Sequence, residues 1–234
     1  MYKIVLISTS TYPSDQGLRI ISSCLKQAGY NSEIVFLPEE EDYNKKYSKR
    51  VLKQLNNICK DSLLIGIASY ASTSIRANQV INHLKKLNIP IVYGGIHATI
   101  SPDLCIKENN IICIGEGEEA IVELANSIKD KQDITKIKNL WVKKDGKIIK
   151  NEVRPLIDLN KLPFADYDIK NHYILEKSKI VPFKEKHLNG QIFYQTIRGC
   201  PNSCTYCSNR YLKNLYHDKG AIIRKLDVDR KSVV

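Results

Sequence analysis

Three cysteines lie close together in the run Arg198-Gly199-Cys200-Pro201-Asn202-Ser203-Cys204-Thr205-Tyr206-Cys207, a C-x3-C-x2-C spacing. Cysteine thiolates are the usual ligands of iron–sulfur clusters. Three of them on one tight loop can hold three irons of a [4Fe–4S] cubane and leave the fourth iron open to a substrate or cofactor. Pro201, Asn202 and Ser203 suit a loop that folds back on itself. Arg198 is close enough to offset part of the cluster's negative charge. Zinc is the competing reading, because the three cysteines with His217 make a Cys3His set. His217 stands ten residues past Cys207 and has no second C-x2-C pair beside it. Three unrelated thiols are the plainest alternative, and the clustering argues against it.

A second set of residues gathers at the ends of apolar runs. Thr9 follows the first run, and Asp15-Gln16-Gly17 soon after it. Ser69 and Thr73 follow the third. Gly94, Gly95 and His97 follow the fourth, and Gly115, Glu116 and Gly117 the fifth. Small and hydroxylated residues let the backbone approach a large flat ligand or a phosphate. Any one of these segments alone reads as an ordinary tight turn. Four of them on one edge point to a ligand.

The elements that must position these residues alternate strand and helix over the first ~130 residues. Strands are expected at Lys3–Thr9, Ser32–Leu37, Leu63–Ser69, Ile89–Tyr93 and Ile111–Ile114. Helices are expected at Leu18–Ala28, Tyr43–Ile58, Ser74–Leu87 and Glu118–Lys129. Tyr43–Ile58 reads as a polar, Lys-rich surface helix, and Gly29 as the stop of the first helix. Apolar runs without alternation are typical of strands covered on both faces. The β-α repeat therefore predicts a five-stranded parallel sheet, Rossmann-like or flavodoxin-like, with ligands beyond the carboxyl ends of the strands. Residues 1–133 form that domain. Residues 134–188 read as a linker with a β-hairpin at Leu140–Ile149, turning at Asp145-Gly146. A new strand, Gln191–Ile197, leads into the cysteines.

Composition narrows the class. The chain has 234 residues, 43% of them hydrophobic, and no apolar run long enough to cross a membrane. Its start is too short and too weakly charged for a secretory signal, so a cytoplasmic protein is expected. The seven cysteines are an odd number, which argues against a disulfide framework. Cys24, Cys59, Cys105 and Cys113 read as small core residues. Net charge is +11, and residues 171–234 hold twelve Lys/Arg against five Asp/Glu. A solvated basic surface explains this; nucleic acid as a partner lacks an aromatic-interleaved motif in support.

The C-x3-C-x2-C element, with Tyr206 before its last cysteine, resembles the signature of the radical S-adenosylmethionine superfamily. The resemblance implies a [4Fe–4S] cluster on Cys200, Cys204 and Cys207, with its open iron chelating S-adenosylmethionine. One-electron cleavage then gives methionine and a 5′-deoxyadenosyl radical. It places Tyr206 beside the adenine, and it implies a flavodoxin- or ferredoxin-type electron donor and a small-molecule substrate. Gly17-Leu18-Arg19, Gly66-Ile67-Ala68-Ser69-Tyr70, Val92-Tyr93-Gly94-Gly95-Ile96-His97-Ala98-Thr99 and Gly115-Glu116-Gly117-Glu118 resemble the cobalamin (B12)-binding domain fused to one branch of that superfamily. Arg154-Pro155 and Asp158-Leu159-Asn160-Lys161-Leu162-Pro163-Phe164 are similar to that branch's linker. On this resemblance cobalamin contacts fall to Thr9, Gly17, Ser69, Thr73, Gly94, Gly95, His97, Gly115, Glu116 and Gly117. The implied chemistry is methylation or rearrangement of an unreactive carbon.

Two departures qualify the resemblance. No Asp-x-His-x-x-Gly occurs, so no cobalt ligand is named. Only 27 residues follow Cys207, whereas a (β/α) barrel takes on the order of 150–250. The expectation is an incomplete barrel start at 189–234, comprising its first β-α unit, with weak or absent catalysis by the isolated chain. The non-enzymatic alternatives are a fragment that binds cobalamin only, or is inert, and a zinc-stabilised nucleic-acid binder.

Overall fold

A computed structural model describes residues 1–10, 12–38, 46–190, 192–227 and 229. The apolar runs form β1 (Lys3–Ser8), β2 (Asn31–Phe36), β3 (Ser62–Ala68), β4 (Ile91–Gly94) and β5 (Ile111–Cys113). They pair in parallel in the order β5-β4-β3-β1-β2, the flavodoxin-like order. Alternation within each run decides which core a side chain joins. Ile4 and Leu6 of β1 face one side, with Leu64, Val92 and Cys113. Val5 and Ile7 face the other, with Ile65, Ile67, Tyr93 and Ile112. A run apolar at every position is thus two half-faces, each needing its own cover.

The covers are helices. α1 (Gln16–Gln27) and α6 (Glu118–Lys129) place Leu18, Leu25, Ile121 and Leu124 on the first face. α2 (Lys49–Cys59) and α3 (Ser74–Leu84) place Val51, Leu55, Val80 and Ile81 on the second. Two short helices, α4 (Ile96–Ile100) and α5 (Pro102–Glu108), join β4 to β5. The helix expected at 43–58 starts at Lys49, where the Ser48 hydroxyl accepts from Val51 N at 3.4 Å. Residues 43–45 lie outside the described residues. Cys59, Cys105 and Cys113 are buried and Cys24 is half-buried. Desolvation pushes the Cys59 and Cys113 thiols up to about 12, as suits small core residues.

The sheet is larger than five strands. The hairpin β6 (Leu140–Lys144) and β7 (Lys147–Lys150) turns at Asp145 and Gly146, with φ of 49° and 74°. β6 pairs antiparallel with β5 and extends the sheet. A second hairpin, β8 (Tyr173–Glu176) and β9 (Lys179–Pro182), adds two strands at the opposite edge, with β8 parallel to β2. That stretch reads as a plain connector because its turn residues, Lys177 and Ser178, carry no glycine or asparagine signal. They adopt φ of 45° and 65° all the same. The strand expected at 191–197 is ordered into a ladder only at β10 (Ile197–Arg198), which pairs with β11 (Arg224–Lys225). Residue 191 lies outside the described residues. Helix α7 (Ser208–Leu215) follows the cysteines.

Segment 154–190 is fastened to α1 by buried polar groups. Arg19 is fully buried and donates to Asp166 O at 2.6 Å and to Pro13 O at 2.8 Å. Its guanidinium lies over the rings of Tyr167, at 4.4 Å, and Phe36, at 4.6 Å. The Asp166 carboxylate accepts from Ser22 Oγ at 2.5 Å and pairs with Lys26 Nζ at 2.8 Å. His172 Nδ1 accepts from Ile34 N, which leaves the ring proton on Nε2, 3.2 Å from Asp166 Oδ2. Burial alone would raise the Asp166 pKa. The hydrogen bonds from His172, Lys26 and Ser22 outweigh it and hold the carboxyl well below the usual carboxylate range.

A depressed native pKa stabilises the fold above the unfolded carboxylate value near ~4, and the contribution is lost as pH falls toward the native value. Asp166→Asn is expected to cost about 3 kcal/mol at neutral pH. It is also expected to flatten the acid limb of stability. Urea midpoints measured from neutral to acid pH, wild type against variant, check both.

Candidate functional site

The carboxyl ends of β1, β3, β4 and β5 share one edge, and a slot opens there. Gly66 is the middle one of the alternating β3 residues Leu64, Gly66 and Ala68 that face α1 and α6. A glycine inside an apolar strand marks a close approach. A Cβ at Gly66 would stand 2.8 Å from Leu6 Cδ2. One at Gly117 would stand 3.4 Å from both Cys113 Sγ and Ile21 Cδ1. Beside these close approaches lies a cavity of about 230 Å³ walled by Leu6, Gly66, Val92, Cys113, Ile21 and Ile121. Gly17, Gly94, Gly95, Gly115, Glu116 and Gly117 also line it. The residues are therefore a cradle for a flat, largely apolar group entering from the glycine edge.

The remaining rim residues are placed as follows. Thr9 and Thr73 are buried, and Thr9 Oγ1 donates to Ala68 O at 3.3 Å and lies 3.2 Å from Thr73 Oγ1. They staple β1 to β3. Asp15 caps α1 by accepting from Leu18 N at 3.2 Å, and it accepts from Ser8 Oγ at 2.9 Å. Ser69 Oγ bonds the Tyr93 hydroxyl, which lies 2.7 Å from His97 Nδ1. This chain sits on the α2–α3 face, away from the slot, and burial lowers the His97 pKa. Gly95 has φ of 93°, and a Cβ there would stand 2.9 Å from Ser69 O. That conformation and that clearance require glycine.

Residues 195–224 cover this edge from above. Tyr216 is buried and its hydroxyl accepts from Glu116 N at 2.7 Å, crossing directly over Gly115. Glu116 accepts from Arg198 Nη1 at 3.0 Å and from Arg224 at 2.5 and 2.9 Å. Arg198 also pairs with Glu118 at 2.7 Å. Burial would raise the Glu116 pKa, but Arg224 and Arg198 hold it below its usual range. Burial would lower that of Arg198, but Glu118 and Glu116 raise it. Arg198 is thus neutralised by two carboxylates and has little charge to lend a metal cluster. A second cavity of about 310 Å³ lies beneath this cover, and Glu116, Arg198 and Gln195 line both cavities.

The three cysteines follow directly. Gly199 has φ of 96°, and a Cβ there would strike Ile222 O, so only glycine lets β10 and β11 close just before Cys200. All three thiols are free; Cys200 and Cys207 are half-buried and Cys204 is exposed. Cys207 is the N-cap position of α7, and Cys207 N donates to Cys204 O at 3.2 Å. Lys213 Nζ donates to Pro201 O, Asn202 O and Ser203 Oγ at 2.7, 2.8 and 3.0 Å. Among the described residues no three His, Cys, Asp or Glu side chains converge as a metal site. The donor set nevertheless suits an iron–sulfur cluster, with three unblocked cysteines on one short loop. Tyr206 is 91% exposed. His217 is exposed and pairs with Asp218 at 2.7 Å.

Sequence reasoning missed Gln195, Arg224 and Lys213, which carry no motif, and passed over Gly66 as a site residue. A lone glycine in a run of Leu and Ile was the available signal for the last.

Residues 2–125 match the model of the B12 binding domain family. The chain is 29% identical over 157 residues to an uncharacterized methyltransferase of Pyrococcus horikoshii, covering 64% of this chain and 32% of that protein. It is 26% identical over 214 residues to the anaerobic magnesium-protoporphyrin IX monomethyl ester cyclase of Synechocystis sp., covering 86% and 40%. The radical S-adenosylmethionine methyltransferase TsrM of Kitasatospora setae, with tryptophan and a SAM analog bound, superposes with a TM-score of 0.69 at 17% identity, covering 98% of this chain and 44% of that one. The cobalamin-dependent S-adenosylmethionine radical enzyme OxsB, with aqua-cobalamin and S-adenosylmethionine bound, gives 0.69 at 17%, covering 99% and 30%. The chain spans about a third to two fifths of the curated relatives' length. With the flavodoxin-like strand order and the glycine-edged slot, the match over residues 2–125 makes this chain a member of the B12 binding domain family.

Proposed function

We propose that this chain supplies the cobalamin site and the cluster loop of a radical S-adenosylmethionine enzyme. One arrangement carries the reading: Glu116 on the cobalamin edge is bonded to Arg198, two residues before the first cysteine of the loop. The two cofactor sites are therefore neighbours across a single ion cluster. When bound, the cluster supplies one-electron cleavage of S-adenosylmethionine to a carbon radical, and cobalamin supplies methyl transfer or rearrangement at the carbon so activated.

The chain's own residues bind and orient. Cys200, Cys204 and Cys207 would hold the cluster, and Tyr206 is free to pack beside an adenine. The slot between β3, β4, α1 and α6 suits the benzimidazole base of cobalamin's nucleotide tail, and the glycine rim faces the corrin. Thr9, Thr73, Ser69 and His97 support that rim through the bonds described above. The two cavities adjoin at Glu116, Arg198 and Gln195, so a corrinoid larger than either alone would reach across both. The substrate is a small molecule, and the electron comes from a flavodoxin- or ferredoxin-type donor. No helix of the described residues is long and apolar enough to cross a membrane.

Anaerobic reconstitution with iron, sulfide and hydroxocobalamin tests the reading by metal analysis and visible spectra. The expected result is about four irons per chain together with bound corrinoid. Alanine at Cys200, Cys204 or Cys207 should abolish iron uptake and spare corrinoid. A colourless wild type without iron would overturn the reading. Gly66→Val fills the slot and is expected to weaken corrinoid binding about tenfold or more, with iron content unchanged; equilibrium titration of the corrinoid band measures it.

A further inference from the structure

We infer that Lys213 is a positioning residue for the cysteine loop, fastening the turn between Cys200 and Cys204 and setting an unneutralised positive charge beside it. This goes beyond the assignment of the three cysteines and rests on the cluster reading above.

An ammonium group has three donors. Lys213 places all three on three consecutive residues, Pro201, Asn202 and Ser203, at 2.7, 2.8 and 3.0 Å. These are the three residues that separate the first two cysteines. A lysine in the last turn of a helix ordinarily serves the final carbonyls and the negative end of the helix dipole. Lys213 stands in the last turn of α7 and reaches the other way. Side chains on a helix lean toward its N-terminus, and the rise from Ser208 to Lys213 is about 7.5 Å. A lysine stem spans most of that distance, so its head arrives at the loop where the helix begins.

The charge argument is separate from the geometric one. Among the described residues no carboxylate pairs with Lys213; its hydrogen-bond partners are two carbonyls and a hydroxyl. Arg198, nearer in sequence, is neutralised by Glu116 and Glu118. Lys213 is thus the cation fastened to the loop that retains its charge. Three thiolates and their cluster are anionic. A nearby cation stabilises the more reduced, more negative state and so raises the reduction potential. Arg210 serves as the control: it lies exposed on the same helix, and its side chain makes no hydrogen bond or ion pair among the described residues.

The experiment compares wild type, Lys213→Met, Lys213→Arg and Arg210→Met after anaerobic reconstitution with iron and sulfide. Three readings are taken: cluster loss under chelator, midpoint potential by EPR-monitored titration, and amide exchange at 201–207 in the cluster-free protein. Lys213→Met is expected to lose its cluster at least about tenfold faster, to titrate at a lower potential and to exchange faster. Lys213→Arg keeps the charge, so its potential stays near wild type. Its planar fork cannot serve three separate acceptors, so its cluster loss is faster. Arg210→Met matches wild type. Lys213→Met matching wild type in all three readings would overturn the inference. If wild type takes up no cluster while Lys213→Met still speeds exchange at 201–207, the cluster reading fails and the fastening of the turn stands.

Discussion

One carboxylate holds the two functional regions together. Glu116 leaves the cobalamin edge after β5 and accepts from both Arg198 and Arg224. Those two arginines are direct partners in the β10–β11 ladder, so their side chains project from the same face. Glu118 supplies the second negative charge, and the cluster is balanced two against two. Half-buried charges tolerate such a position only when paired. Removing either arginine leaves a carboxylate without its counter-charge, and removing Glu116 strands two guanidiniums. The cysteine loop begins one residue after Arg198, at the glycine that lets β10 and β11 close. Its position relative to the sheet is inherited from this ion cluster.

The slot beneath is a consequence of sheet patterning. In a parallel sheet covered on both faces, each strand gives alternate residues to each core. Gly66 puts no side chain on the α1–α6 side, where Leu6 closes over it and the cavity lies, while Ile65 and Ile67 keep the opposite face filled. Gly117 enlarges it at the start of α6. The cavity lies on the α1–α6 face, at the carboxyl ends of β1 and β3, the neighbouring strands from which the sheet order runs in opposite directions and where ligands of such sheets bind. The hydroxyl groups that reading the edge alone assigns to a ligand divide between tasks. Thr9 and Thr73 spend their hydrogen bonds on each other and on the backbone, whereas Gly17, Gly94 and Gly117 line the cavity.

Much of this was legible in the residues. Unbroken apolar runs ending in small residues indicated the parallel sheet, and α6 was readable to its ends because acidic residues open it and lysine closes it. The cysteine spacing was legible because three thiols within eight residues stand out in any sequence. What was hidden shares a cause: it depends on residues that meet only in three dimensions. The Lys177–Ser178 turn adopts left-handed backbone without the residue types that announce it. Arg19 looks like a surface arginine on an amphipathic helix, yet it is sealed under Tyr167, Phe36 and Phe183. Arg198 looked like a counter-charge for sulfur, and its carboxylate partners lie some eighty residues earlier. Lys213 reads as a helix C-terminal lysine until its reach toward Pro201 is seen.

In the proposed arrangement a corrinoid on the glycine edge and an iron–sulfur cluster on the cysteine loop would occupy adjoining sites across Glu116 and Arg198. The most direct test is an EPR spectrum of protein carrying both reduced cluster and cob(II)alamin, with Glu116→Gln alongside. Adjoining sites predict that each centre broadens the other's signal in the wild type and that the coupling weakens in the variant. Two signals that simply add, identical to those of singly loaded protein, would contradict the account.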